Sequence, residues 1–96
     1  MTLPPELRRE AEARLGEVRA PRPVGGGCIN ECFRVDLPAG PAFLKYNLRA
    51  PAGFFAAEAE GLDALRAAAG DGLRVPAVLA LGEATPWIAL EWLEPA

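Results

Sequence analysis

The sequence predicts an α+β fold: an antiparallel sheet of about five strands, one helix packed on it and one helix at the N-terminus. Three observations lead there. Residues 33–37 and 42–46 alternate apolar and polar, the period of half-buried strands. Residues 3–15 and 54–69 repeat their apolar positions every three to four residues, the period of helices. Ten Gly and ten Pro are spread along the chain and separate short elements with tight turns. Ninety-six residues allow one small domain. A hydrophobic fraction of 51% and a charged fraction of 24% are ordinary for a globular chain.

The first helix has Thr2 as its cap, with Pro4 and Pro5 tolerated in the first turn. Leu3, Leu7, Ala11 and Leu15 form one stripe; Glu6, Arg9, Glu10 and Arg14 are expected on the other side, with Glu10 and Arg14 in favourable i,i+4 order. Gly16 ends the helix. Pro21 and Pro23 restrict residues 18–24 to an edge strand or an extended lead-in. After the glycine run 25–27 comes a strand over residues 32–37, with Phe33, Val35 and Leu37 on one side. Residues 38–41 are a turn, and residues 42–46 a strand with Ala42, Leu44 and Tyr46 on one face and Phe43 and Lys45 on the other.

A helix is expected over about residues 54–69. Phe55, Leu62, Leu65 and Ala69 share a face. Glu58 lies within about 60° of Phe55, Leu62 and Leu65, whereas Glu60 points away into solvent. A carboxylate on a core-facing stripe is costly unless paired, and Lys45 on the neighbouring strand is the expected partner. The run Gly70-Asp71-Gly72 stops the helix. Two further strands follow, one after Pro76 to Leu81 and one over residues 87–93, with Trp87 and Trp92 as core or interface residues.

The net charge is −3, with no basic stripe, which argues against nucleic acid as a partner. No apolar run is long enough to span a membrane, and the N-terminus has no apolar segment of a signal peptide. Two Cys and no His make a zinc site or a disulfide framework an unpromising reading; a cytoplasmic setting fits.

The run Val24-Gly25-Gly26-Gly27-Cys28-Ile29-Asn30 carries the most chemistry. Consecutive glycines accept positive φ and can turn several N–H groups toward one anion. A plain glycine-rich β-turn is the alternative. In the order strand, glycine loop, strand, strand with Lys, helix with inward Glu, strand, strand, the loop has the position that covers nucleotide phosphates in the small lobe of a kinase-like fold.

At this point the chain resembles the fructosamine kinases (ketosamine-3-kinases), relatives of the aminoglycoside and choline kinases. The resemblance rests on residues 23–30, on Ala42-Phe43-Leu44-Lys45-Tyr46-Asn47, on the helix residues 55–65, and on Val75-Pro76 with Ala89-Leu90-Glu91-Trp92-Leu93. It implies that Gly25, Gly26, Gly27, Cys28, Ile29 and Asn30 form the nucleotide loop. It further implies that Lys45 contacts ATP phosphates and is held by Glu58. The Glu91 carbonyl and the Leu93 amide, with Trp92 between them, would then meet the base edge. The resemblance also suggests that oxidation of Cys28 blocks ATP or links two subunits; a thiolate is favoured beside backbone N–H groups.

The pattern departs from the family in three ways. Asn30 stands where a third loop glycine would be, there is no His for a His-Gly-Asp catalytic loop, and no residue can be assigned as catalytic or Mg²⁺-binding Asp. The chain therefore reads as an N-terminal nucleotide-binding lobe ending at the hinge, with the catalytic lobe absent. Mg²⁺ is expected only in a complete two-lobe enzyme. Three functions stay open: the ATP-binding lobe of a ketoamine kinase, the lobe of an aminoglycoside- or choline-type phosphotransferase, and a non-catalytic module that binds nucleotide weakly or self-associates. A homodimer would form through an exposed apolar surface near Trp92 and Leu93, or through Cys28.

Overall fold

The computed structural model describes residues 3–25, 30–70, 72 and 74–94. Five strands form one antiparallel sheet: β1 (Arg19–Pro23), β2 (Glu31–Leu37), β3 (Gly40–Tyr46), β4 (Val78–Leu81) and β5 (Trp87–Glu91), in the order β1-β2-β3-β5-β4. The helices are α1 (Pro5–Leu15) and α2 (Phe54–Ala68). This is the expected α+β architecture.

Strand alternation divides the sheet into two faces. Phe33, Val35, Leu37, Ala42, Leu44 and Tyr46 all point to one side, where they meet Trp87, Ala89, Leu7 and Ala11 of α1, and Leu3 just before it. The opposite side carries Phe43, Ile88 and Leu90, packed against Phe55, Ala59 and Leu62 of α2. A two-residue period thus places one helix on each face. The proline-containing β1 lies at the sheet edge, where a missing N–H donor costs little. Its register slips between Arg19 and Arg22, and Ala20 there has φ 49.

Gly16 ends α1 with φ 88, as expected, and its N–H bonds to the Glu12 carbonyl. Gly82 is needed for space. A Cβ there would meet the Thr85 carbonyl oxygen at 2.1 Å and the Trp87 ring at 2.5 Å. Neither the turn backbone nor the fully buried indole can yield easily. Gly82→Ala is therefore expected to lower stability by about 2 kcal/mol in urea unfolding; a change within experimental error would show that the turn tolerates a methyl group.

Three expectations are corrected. Glu10 does not pair with Arg14. Its carboxylate crosses to the β4–β5 turn and accepts from the Glu83, Ala84 and Thr85 amides at 2.8, 2.9 and 3.0 Å, from the Thr85 hydroxyl at 2.7 Å and from Trp87 Nε1 at 2.9 Å. Arg14 instead meets Glu83 at 3.7 Å and donates to the Leu81 carbonyl. The i,i+4 pair of this helix is Arg8 with Glu12.

Second, Leu65 is 54% exposed rather than part of the core stripe. The 15 residues of α2 span roughly 22 Å, whereas the four- and five-residue strands beneath reach roughly 13–17 Å, so the last helical turn runs past the sheet. Third, the last strand stops at Glu91, and Trp92 and Leu93 lie beyond it, half-buried. The large apolar side chains most exposed among the described residues are Leu48, Leu65 and Leu79, whereas Trp92 and Leu93 are only partly exposed. The expected cap Thr2 lies outside the described residues.

Candidate nucleotide site

Lys45 and Glu58 meet. Lys45 Nζ donates to Glu58 Oε2 at 2.6 Å, and the two side chains are 20% and 25% exposed. The sheet explains the direction of the lysine. It shares a strand face with Phe43, opposite Ile88 of β5, and that face is the one α2 covers. The helix explains the glutamate: Glu58 follows Phe55 by three residues and precedes Leu62 by four, so it lies on the covered stripe. Partial burial lowers the effective dielectric around the pair, and the hydrogen bond orients the ammonium.

The pair stands at one end of a cavity of about 450 Å³ lined by Phe43, Lys45, Glu58, Leu62, Pro76, Leu90, Glu91, Trp92 and Leu93. Five of the sequence-derived site residues, Lys45, Glu58, Glu91, Trp92 and Leu93, thus share one hollow. Phe43, Leu62, Pro76 and Leu90 join them, and the strand and helix faces already placed Phe43 and Leu62 beside Lys45. Phe43 lies two residues from Lys45, about 7 Å along the strand, and Leu62 one turn of helix from Glu58. Beyond Lys45 and Glu58 the cavity has an apolar lining apart from Glu91. Its volume suits a small organic ligand.

A larger cleft of about 630 Å³ opens past the end of α2, lined in part by Asp63, Arg66, Arg74 and Glu91. It contains neither Lys45 nor Glu58. Two of its cations are engaged with the protein: Arg66 donates to the Val75 carbonyl and Arg74 lies 3.6 Å from Glu91. The oriented ammonium belongs to the smaller cavity.

Glu91 fastens the far wall. Its N–H bonds to the Ala77 carbonyl at 2.8 Å, and its carboxylate accepts from the Ala77 amide at 3.2 Å. The Trp92 ring stacks on Phe43 with centroids 6.3 Å apart, and Trp92 Nε1 donates to Glu94 at 2.9 Å.

Residues on both sides of the glycine run are placed. Gly25 has φ 72 and is exposed. Asn30, on the far side, accepts at Oδ1 from Asn47 Nδ2 at 3.2 Å. Asn47 follows Lys45 by two residues, so this bond ties the base of the loop to the lysine strand. The Val24 amide closes the neck through the Cys32 carbonyl at 3.0 Å. Gly26, Gly27, Cys28 and Ile29 lie outside the described residues. Among the described residues, no three His, Cys, Asp or Glu side chains converge as a metal site, and no helix is long and apolar enough to cross a membrane.

A five-stranded sheet whose third strand carries a lysine tied to a helix glutamate is a kinase-like small lobe. Comparison with known proteins gives the family. A model of the fructosamine kinase family matches residues 5–96, and the chain belongs to that family. It is similar to a probable ketoamine kinase of Enterococcus faecium, 37% identical over 75 residues, which cover 76% of this chain and 26% of that protein. It also resembles the crystal structure of a candidate fructosamine-3-kinase from Thermobifida fusca, with a TM-score of 0.69 and 32% identity over 92% of this chain and 31% of that one. The chain spans about a quarter to a third of the length of these relatives.

Proposed function

We propose that this chain is the ATP-binding lobe of a small-molecule kinase that phosphorylates a sugar hydroxyl of ketoamine (fructosamine) adducts. The observation that carries the proposal is the Lys45–Glu58 pair at the charged end of a cavity that is otherwise mainly apolar. ATP has a polyanionic end and a flat apolar base, and a cavity with one charged and one apolar end complements both.

In this reading ATP supplies the phosphoryl group. Lys45 neutralises phosphate oxygens, and Glu58 keeps the ammonium charged and aimed. The Gly25–Asn30 segment, including Gly26, Gly27, Cys28 and Ile29, offers backbone N–H groups to the same anion. The Glu91 carbonyl and the Leu93 amide take the base edge. Acceptor activation and Mg²⁺ binding fall to the remaining length of the longer relatives, because phosphoryl transfer also requires a positioned hydroxyl and metal ligands. The ketoamine acceptor is carried over from the relatives, a ketoamine kinase and a fructosamine-3-kinase by name. A cytoplasmic location follows from the need for ATP and from a cysteine content without a disulfide framework.

The test is calorimetric titration of ATP into the wild type and into Lys45→Ala. Binding is expected to weaken about 30-fold in the variant. Equal affinities would remove Lys45 from the site and with it the proposal.

A further inference from the structure

Arg34 has no part in the site as described, yet its side chain is only 25% exposed and lies beside it. It projects from β2 directly opposite Phe43 in the sheet register. Its guanidinium carbon sits 5.4 Å from the centroid of the Trp92 ring. The same guanidinium donates to Asp36 Oδ1 at 3.0 Å, which fixes its position along the strand. The Trp92 ring in turn lies nearly parallel to Phe43, 22° off and 6.3 Å away. Beyond Glu91 the β5 ladder has ended, so sheet hydrogen bonds no longer fix Trp92. Contacts of its own ring must do so: Phe43, Arg34 and the bond to Glu94.

We infer that Arg34 is a positioning residue, which holds the Trp92 indole against Phe43 and so fixes the aromatic wall at the apolar end of the cavity, the end that takes a flat nucleobase. This rests on the cavity being the nucleotide site proposed above. A guanidinium over an indole face is attractive, and more so as water is excluded. Arg34 is held by Asp36 and acts on the wall, while the polyphosphate end is governed by Lys45. Its loss therefore affects recognition of the base and spares recognition of the phosphates.

Two ligands separate these ends: ATP and inorganic tripolyphosphate. Arg34→Ala is expected to weaken ATP binding about fivefold and to leave tripolyphosphate binding within twofold. Lys45→Ala is expected to weaken both, which tests the nucleotide site independently. A second readout needs no ligand. The chain has two Trp, and Trp87 is fully buried, so acrylamide quenching of fluorescence reports chiefly on Trp92. In Arg34→Ala the quenching constant should rise about twofold as the indole loosens. Unchanged quenching in Arg34→Ala overturns the inference whatever the ligands do. Equal weakening of ATP and tripolyphosphate also overturns it, because Arg34 would then act on the phosphates as a charge. If Lys45→Ala changes neither ligand, the nucleotide site itself fails and the base-binding role of the wall falls with it.

Discussion

Glu10→Gln should lower the stability of this domain by about 3 kcal/mol at neutral pH. Five donors converge on the Glu10 carboxylate: Glu83 and Ala84 amides on one oxygen, and the Thr85 amide, the Thr85 hydroxyl and the Trp87 indole on the other. An amide side chain keeps the size but replaces one acceptor oxygen with a donor, which then faces N–H groups. Bonds to a charged acceptor contribute about 1.5–3 kcal/mol each when lost singly, and losses within one cluster do not add. Urea unfolding of the variant measures the effect. A change below about 0.5 kcal/mol, as for an ordinary surface position, would show that the cluster contributes little.

The same group gives a pH signature. Burial alone would raise the Glu10 pKa, but the bonds from Ala84, Thr85, Glu83 and Trp87 outweigh it and bring it down from 4.5 to about 2. A carboxylate with a depressed folded pKa stabilises the fold fully above its unfolded value of 4.5. That contribution fades as pH falls from 4.5 through about 2. Partial solvent exposure screens it, so about 2 kcal/mol is expected to disappear across that window. Glu10→Gln should lack this component of the acid sensitivity.

Lys45→Ala should weaken ATP binding about 30-fold, or about 2 kcal/mol. The Lys45 side chain is four-fifths removed from water and its ammonium already aligned by Glu58, so little ordering remains to be done on binding. Salt screens such a half-buried charge less than an exposed one, and the loss should persist at 0.15 M ionic strength. Stability should fall by only about 1 kcal/mol, because Glu58 has a quarter of its side chain exposed even beside Lys45 and can be solvated once its partner is gone. A variant that unfolds would point to a structural pair rather than a binding one.

Much of this was legible in the chain. Strand alternation in residues 33–37 and 42–46 fixed which side chains face which helix, and with it the side on which Lys45 emerges. The rotation of Glu58 onto the Phe55 and Leu62 stripe then required a cationic partner, and one strand supplied it. Glu10 was missed, although the same arithmetic applied: it lies three residues after Leu7, about 60° away around the helix, on the edge of the buried stripe. Three of its five partners are backbone amides 73 to 75 residues later, and an amide leaves no mark in a sequence. Leu65 misled for the opposite reason. Helical periodicity states which way a side chain points but not how far the sheet beneath it extends. The Arg34–Trp92 contact was illegible because Trp92 lies past the end of its strand, where strand alternation no longer directs a side chain.

The most direct test of the account is a double-mutant cycle on ATP affinity with Lys45→Ala, Glu58→Gln and the two combined. If Glu58 acts by aiming Lys45, Glu58→Gln alone weakens ATP about tenfold, and the double variant binds no worse than Lys45→Ala. Wild-type affinity in all three variants, or losses that simply add, would contradict a lysine held for phosphate by its helix partner.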